Sequence, residues 1–334
     1  MRSDLEGIRR LQVTVLYLLY PVGPSYRREK PFRALKQIVD RLPGQKSIVS
    51  IDNSMPSQAP NQIAEDEFVI GGDNTYLEFS GWQKGLEFVR ERGLTSEVCL
   101  FANDTFLNES MFHRRMVDAA AFRCAVKYHA MVGKQMIAPV AGEIFGNPLI
   151  PYIRTHLFML PFRVLERLGS LLSLDARAID QLFLSRYDPT IPLFREDAPV
   201  SRSIRDFVNS HLHSSWYRKM PYTAEHFDDL RAKAISILNA FLLSMRVYQM
   251  GYPLISYAKI SAFLNAQATA ENLTAAWCGQ DQLRREHSEA VQNGANPFWG
   301  KNNPVYRHMP KRMRSFTLEN ILDFLERRSH PEHL

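Results

Sequence analysis

The sequence has few cysteines and no long uninterrupted apolar segment. Its 334 residues include only three cysteines, Cys99, Cys124 and Cys278, and their spacing suggests neither a disulfide framework nor a metal-binding pair. Such usage is typical of a reducing compartment. No apolar run reaches the roughly 20 residues that are needed to span a bilayer, and the longest candidate contains Gln12 and Thr14. These features exclude a disulfide scaffold and predict a chain without a membrane-spanning helix.

Several common catalytic and nucleotide-binding motifs are also missing. The sequence contains no GxSxG and no HExxH segment, which excludes two familiar hydrolase signatures. It contains neither GxGxxG nor GxxxxGK[ST], so neither a dinucleotide-binding fold nor a P-loop is supported. It has no internal repeat and no low-complexity tract. Function must therefore be inferred from residues that are scattered along the chain.

The composition is that of a folded protein with a modest excess of positive charge. Hydrophobic residues make up 45% and charged residues 23%, and the length suggests two domains. The net charge of +6 is compatible with phosphate-bearing ligands or an anionic membrane surface, and equally with dispersed surface Arg and Lys. We expect no nucleic-acid partner.

The first 110 or so residues alternate between strand-like and helix-like patterns. Apolar runs at residues 11–19, 47–51, 67–70 and 97–101 predict buried strands, and helical spacing predicts helices at residues 31–42 and 81–92. Such alternation is typical of a mostly parallel sheet that is covered by helices.

The remainder of the chain has mainly helical patterns. Residues 111–132 and 224–250 predict long amphipathic helices, whereas residues 153–174 begin as a strand and become helical. Residues 189–203 are expected to form a loop, and shorter helices are expected at residues 261–271 and 317–328. We therefore predict an α/β domain over residues 1–175 and a mainly helical region over residues 176–334.

Polar side chains follow the predicted strands. Asp52 follows the second strand, Asp73 and Asn74 follow the third, and Asn103 and Asp104 follow the fourth. Because ligands of open α/β sheets bind beyond the carboxyl ends of the strands, one cleft could collect these residues. An acidic side chain such as Asp52 can bind a ribose hydroxyl or a base N–H, and Asp104 can hold a divalent metal beside a diphosphate. The alternative is that they are strand-end turn formers, for which Asn and Asp are common.

Other parts of the sequence offer weaker candidates. The glycine pair before Asp73 allows a close backbone approach, and Lys84 lies near a predicted helix start that could bind phosphate. His211 and His213 would share a face if they were on a strand, although two histidines without a third ligand are more often an exposed polar stretch. A basic cluster near the C-terminus could contact phospholipid or a lipid-linked diphosphate, or could be a solvated loop; it comprises Arg307, His308, Lys311, Arg312 and Arg314.

The order of three segments resembles the nucleotide-sugar half of GT-A-type glycosyltransferases. The segments are IVSIDNS, GGDNTYLEFSGWQKGLEF and VCLFANDTF, and they are particularly similar to bacterial polysaccharide enzymes typified by the rhamnan synthesis F family. Residues 152–158 resemble the segment that borders the family's acceptor site, and residues 233–252 resemble its closing helix. The likeness covers about residues 10 to 255 and is strongest in the first 110 or so.

The resemblance implies a GT-A-like fold, with nucleotide-sugar binding in residues 1–175 and the acceptor side in residues 176–334, and a role for each matching residue. Asp52, Asp73 and Asn74 would contact the nucleotide, with Trp82 and Lys84 in the same segment, and Asn103 would assist Asp104. Asp104 would hold Mn²⁺ or Mg²⁺ and the donor diphosphate. On the acceptor side, Arg154 and His156 would border the site.

The chain departs from the family pattern at one catalytic position. The acidic residue that serves as general base usually lies near the start of the closing helix, where this chain has Asn239-Ala240. An amide cannot take a proton from an acceptor hydroxyl at neutral pH. Either another carboxylate serves, among Asp197, Asp228 and Asp229, with Asp229 the first candidate and Asp197 the second, or the protein is weakly active or inactive.

We therefore expect a transferase of sugars from nucleotide diphosphates to a glycan or lipid-linked acceptor. The pathway implied is the synthesis of a surface polysaccharide, such as capsule, O-antigen or lipopolysaccharide. We expect the protein in the cytoplasm, and any membrane contact would be peripheral and on the inner face. The alternative is a non-catalytic protein with a transferase fold that assists assembly of a polysaccharide complex. A nucleotidyltransferase would require a glycine-rich basic loop after the first strand, which residues 22–28 match only faintly.

Overall fold

A computed structural model describes residues 11–20, 29–94, 96–108, 114–214 and 220–260. The strands are β1 Gln12–Leu19, β2 Gln45–Asp52, β3 Asn61–Ala64, β4 Glu67–Gly71, β5 Val98–Asn103, β6 Met131–Met136, β7 Glu143–Ile144, β8 Asn147–Pro148, β9 Tyr152–Pro161 and β10 Leu254–Ser256. The helices are α1 Glu29–Val39, α2 Glu78–Glu91, α3 Ala119–Tyr128, α4 Phe162–Leu168, α5 Ala176–Leu182, α6 Arg202–Ser214 and α7 Phe227–Gln249. A 3₁₀ turn, Asp104–Asn108, follows β5 directly.

Eight strands form one mixed sheet in the order β10-β6-β9-β5-β1-β2-β4-β3. Strands β4, β2, β1 and β5 are parallel, whereas β9 is antiparallel to both β5 and β6, and β3 is antiparallel to β4. Helices cover both faces, as a parallel sheet requires. The predicted α/β class, with a mostly parallel sheet that is covered by helices, is confirmed.

The centre of the sheet is β1, whose side chains alternate between two cores. Leu16 and Leu18 pack in the core beneath α2 and α7, and Val15 and Tyr17 pack in the core beneath α1 and α3. This continuous apolar strand is therefore buried on both faces, as its sequence predicts. The core beneath α2 and α7 also contains side chains from α5 and α6, so it continues across residue 175.

The structure differs from prediction in two segments. The helix expected over residues 111–132 is α3, which ends where His129 adopts a left-handed conformation with φ of 50°, and β6 follows. β6 contains Gly133, Lys134 and Gln135 and has little local strand signal, so its pairing with β9 and β10 decides its conformation. His211 and His213 are on helix α6 rather than on a strand, so they do not share a face.

Some predictions fall outside the described residues. They are the helices at residues 261–271 and 317–328, the basic cluster from Arg307 to Arg314, the loop at residues 22–28, and Cys278. Within the described ranges, no helix has both the length and the apolarity that crossing a membrane requires.

Candidate functional site

The carboxyl ends of β2, β1 and β5 lie side by side. Leu19 in β1 pairs with Asp52 in β2, and Leu18 pairs with Asn103 in β5. With a strand spacing of about 4.8 Å, the backbones of Asp52 and Asn103 are separated by about 10 Å across β1. Because the chain proceeds from β1 to β2 and β4 on one side and returns to β5 on the other, this edge is a topological switch point, where α/β sheets bind ligands.

Asp104 joins the ends of β5 and β1. It begins the 3₁₀ turn, and its Oδ2 accepts a hydrogen bond of 3.1 Å from the Tyr20 backbone N–H. The neighbouring Asn103 is buried, and its Oδ1 accepts a hydrogen bond of 2.6 Å from the Thr105 hydroxyl. These bonds fix both polar residues at the carboxyl ends of β1 and β5.

Asp52 is buried at the end of β2, with 0% of its surface exposed. Its Oδ1 accepts hydrogen bonds from the backbone N–H and the hydroxyl of Ser54, at 3.0 and 2.6 Å. This is the local turn geometry that Asp favours after a strand. The carboxylate therefore stabilises the loop after β2. Because Asp52 and Ile48 are four residues apart in β2, their side chains point to the same face, which is the face covered by α1.

Asn53 links the loops that follow β2 and β4. Its Nδ2 donates to Asn74 Oδ1 at 3.3 Å and to the Leu77 carbonyl at 3.0 Å. Among the described residues, the buried Asn53 Oδ1 has no hydrogen-bond partner. A Cβ atom at position 72 would collide with Asn53, so glycine is required there. This glycine therefore allows a close approach between its own backbone and Asn53, both within the protein. Asp73 is half-buried, and its Oδ1 accepts a hydrogen bond of 2.7 Å from the Thr75 N–H.

Lys84 and Trp82 lie behind this loop region. Lys84 Nζ donates to the carbonyls of Pro56 and Gly72, each at 3.0 Å, and so ties together the loops after β2 and β4. Trp82 is fully buried, and its ring packs edge-on against Phe101 and Phe158, with centroids 5.7 and 5.5 Å away. Both side chains therefore support the site from the interior of the fold.

A second polar group lies on the α2 and α7 side of the same sheet. Lys233 Nζ in α7 lies 3.6 Å from Glu78 Oε1 in the first turn of α2, and both side chains are mostly buried, with 18% and 15% exposed. Burial opposes ionisation of Glu78, but Lys233, hydrogen bonds from its own backbone and from Ser236, and His156 together hold the pKa of the carboxyl below its usual value. His156, a residue expected on the acceptor side, is thus close to Glu78, a carboxylate that the sequence did not single out.

Arg154 and His211 extend this group. Burial, followed by the nearby charges of Lys233 and Arg154, lowers the pKa of the His211 imidazole. The group therefore contains side chains from α2, β9, α6 and α7, which are distant in sequence. No local motif marks Glu78 as one of its members, since only the packing of α7 against α2 and β9 brings Lys233 to it.

The two carboxylates expected as general bases lie elsewhere. Asp197 is 75% exposed and forms an ion pair of 3.1 Å with Arg195, which lowers the pKa of Asp197. Asp229 is exposed in the first turn of α7, one turn before Lys233. Neither has a described contact with Asp52, Asn103 or Asp104.

Asn239 supports the segment that follows α4. Its buried Oδ1 accepts hydrogen bonds from the backbone N–H groups of Ser173 and Leu174, at 2.7 and 3.2 Å. Arg246, two turns later in α7, donates to carbonyls of the same segment, including Leu168 at 2.7 Å, and Gln83 Oε1 in α2 accepts from Leu171 N–H at 2.8 Å. We name residues 168–174 the clamped segment, because it is bound to both α2 and α7.

The donors for a divalent metal are few. Across the described ranges, no group of three or more His, Cys, Asp or Glu side chains is arranged to hold a metal ion. Asp104 and Asn103 nevertheless offer hard oxygen donors at the switch point. Mg²⁺ is commonly bound by one or two carboxylates together with substrate phosphates and water, so this donor set fits a metal that arrives with a diphosphate. It does not fit a dedicated metal centre made of protein ligands alone.

Comparisons with known proteins give only distant likenesses. No protein-family model matches the chain, and no curated protein matches it in sequence. Among solved structures, a 4-diphosphocytidyl-2C-methyl-D-erythritol synthase is similar at 13% identity and a TM-score of 0.29, over 47% of this chain and 77% of that chain. The mannosyltransferase PcManGT from Pyrobaculum calidifontis, solved in complex with GDP-Man and Mn²⁺, is similar at 13% identity and a TM-score of 0.31, over 86% of this chain and 84% of that chain. Both likenesses are too distant to indicate an activity for this chain.

Proposed function

We propose that the protein is a glycosyltransferase that moves a sugar from a nucleotide-diphosphate donor to a glycan or lipid-linked acceptor in surface polysaccharide synthesis. The observation that carries the proposal is the position of Asp52, Asp73, Asn103 and Asp104, which lie at or directly after the carboxyl ends of β2, β4 and β5, at one edge of the sheet beside a topological switch point. Such an edge presents polar groups to a ligand while the sheet fixes their spacing.

In this proposal, the loops after β2 and β4 bind the nucleoside. Asp73 and Asn74 border the bound nucleotide, and Asp52 shapes the neighbouring loop through its bonds to Ser54. Trp82 and Lys84 hold these loops in place from behind, because their polar and aromatic contacts are directed into the protein. Asn103 and Asp104 face the diphosphate.

Asp104 is also the residue that would hold Mn²⁺ or Mg²⁺. A divalent ion bound there would neutralise charge that develops on the departing nucleoside diphosphate. The chain's own contribution is to place one carboxylate and one amide at the carboxyl ends of β1 and β5 and to hold both through Tyr20 and Thr105. Arg154 and His156, in β9, would border the acceptor.

A thermal-shift series tests this assignment. The wild-type protein is heated with UDP, GDP, dTDP or CMP, with and without Mn²⁺, and we expect stabilisation by one nucleotide class that depends on the metal. At about 100 times its dissociation constant a ligand stabilises the native state by about 2.7 kcal/mol. Asp104→Asn retains an acceptor for Tyr20 N–H but removes the charge, so it should abolish the metal-dependent part of the shift.

Asp206→Ala is the matched control, because Asp206 pairs with Arg202 on the exposed side of α6. It should respond to nucleotide as the wild type does. An Asp104→Asn protein with an undiminished metal-dependent shift would refute the role of Asp104. A wild-type protein that no nucleotide stabilises would refute the proposed function.

A second candidate function is non-catalytic binding within a polysaccharide assembly. The observation that favours it is Asn239, an amide that holds the clamped segment at the position where the family has its acid. Mn²⁺-dependent hydrolysis of nucleotide sugars separates the two candidates. A protein that binds a nucleotide but hydrolyses no sugar from it, with or without an acceptor, would support the binding role.

A further inference from the structure

The position of Glu78 follows from the packing of aromatic rings beneath α2. Phe101 in β5 and Phe158 in β9 are directly opposite each other, with ring centroids 4.7 Å apart and an interplanar angle of 6°. Trp82 packs on both rings, so α2 covers this face of the sheet. Glu78 lies four residues before Trp82 and therefore on the same side of the helix.

The strand register places Glu78 at the edge that carries the site. The pairing of β5 with β9 ends at Ala102 and Leu157, which are adjacent in sequence to Asn103 and His156. Side chains alternate along β5, so Asn103 points to the same face as Phe101. Glu78 lies one helical turn before Trp82, and the carbonyl of its neighbour Leu77 accepts a hydrogen bond from Asn53, so Glu78 lies at the carboxyl ends of the strands, where it interacts electrostatically with His156.

We propose that Glu78 is the general base of the transfer reaction, an inference that rests on the proposed function. Its carboxylate accepts the proton of the attacking hydroxyl while the hydroxyl oxygen forms a bond to the anomeric carbon of the donor sugar. The bond between that carbon and the diphosphate oxygen breaks, and its electron pair leaves with the nucleoside diphosphate. Glu78 ends the step as a neutral acid.

The surroundings of Glu78 suit this role. Lys233 and Ser236 interact with it from α7 and His156 from β9, and His211 lies near both Lys233 and Arg154. Lys233 holds the carboxylate in one place and favours its ionised form, in which it can take a proton at neutral pH. By contrast, Asp197 is engaged with Arg195 at the surface, and Asn239 has no basic oxygen to offer.

The test compares Glu78→Gln with the wild-type protein in hydrolysis of GDP-mannose, UDP-glucose and dTDP-glucose with Mn²⁺, water being the acceptor. General base catalysis contributes about 100-fold or more to a rate, so we expect kcat to fall by at least that factor. The thermal shift with the nucleotide should be unchanged, because Glu78 lies on the acceptor side. Glu166→Gln, on the exposed side of α4, is the matched control and should keep full activity.

A second variant gives a readout that a purely structural role would not move. Glu78 must be ionised to act, so activity falls as the pH drops through its pKa. Lys233→Met removes the cation that lowers this pKa, so the acid limb of the kcat profile should move to higher pH. This measurement also decides the question if Glu78→Gln does not fold.

The outcomes separate the two proposals. Glu78→Gln with kcat within about threefold of the wild type, or a Lys233→Met profile with an unmoved acid limb, would overturn the role of Glu78 and leave the proposed function standing. Wild-type protein that neither binds a nucleotide nor hydrolyses any of the three sugars would overturn both.

Discussion

Substitutions of Trp82 test whether this residue is a packing residue or a ligand-binding residue. Its ring is fully buried among Phe79, Phe101 and Phe158, so Trp82→Ala should lower the free energy of unfolding by about 3–5 kcal/mol. Trp82→Phe keeps an aromatic ring in the same place. The smaller ring and the residual cavity should cost about 2–3 kcal/mol.

The indole nitrogen of Trp82 makes the loss of stability differ between the two substitutions. Among the described residues, its buried N–H has no hydrogen-bond partner, and a buried donor without a partner costs about 1–3 kcal/mol. Trp82→Phe removes this donor, and the relief offsets most of the packing loss. We therefore expect Trp82→Phe to be destabilised by no more than about 1–2 kcal/mol, which is well below Trp82→Ala.

Urea unfolding of the two variants and the wild type measures these differences, and nucleotide binding is followed on the same samples. Both folded variants should bind the nucleotide as the wild type does. Equal destabilisation of Trp82→Phe and Trp82→Ala would show that the indole N–H is satisfied and contributes to stability. A Trp82→Phe protein of wild-type stability that no longer binds nucleotide would refute the packing role.

Two further substitutions address the loops around the site. Lys84→Met removes an ammonium group that donates to two carbonyls, so it should lower the free energy of unfolding by about 1–2 kcal/mol and weaken nucleotide binding, which titration measures. Lys127→Met is the control, because Lys127 is an exposed residue of α3, and a Lys84→Met protein as stable as the wild type would contradict the bridging role. Asn239→Ala removes the acceptor of two backbone N–H groups, so it should lower the free energy of unfolding by about 2–4 kcal/mol and speed hydrogen exchange at Ser173 and Leu174. Asn239→Asp keeps an acceptor for both bonds and should keep the slow exchange, so equal exchange rates in the two variants would argue against the role of Asn239 in holding the clamped segment.

The half of the fold that surrounds the switch point could be predicted from the sequence. Apolar runs bounded by Pro, Gly, Asn and Asp identify β1, β2, β4 and β5, because each of these strands is buried and its ends are marked by turn residues. Parallel pairing then brings Asp52 and Asn103 to one edge. This part of the site follows from topology, which short-range patterns determine well.

Residues outside that half were harder to predict. Strand β6 has Gly133, Lys134 and Gln135 at buried positions, and only its two strand neighbours make it a strand. Glu78 resembles any acidic residue in the first turn of a helix, where the helix dipole alone would favour it. Its partner Lys233 belongs to a helix far along the chain, so their ion pair depends on tertiary packing that composition and periodicity do not encode.

The clamped segment has a consequence for how the acceptor side would bind its ligand. Gln83 in α2 and both Asn239 and Arg246 in α7 hold the same short stretch of backbone, so the two helices that carry Glu78 and Lys233 are coupled mechanically. Because both helices are held by the clamped segment, the Glu78 carboxylate loses little conformational entropy when a ligand binds. Loss of the hydrogen bonds to the clamped segment should therefore slow the proposed reaction by making the position of Glu78 less well ordered, even though no contact with the reacting atoms is changed.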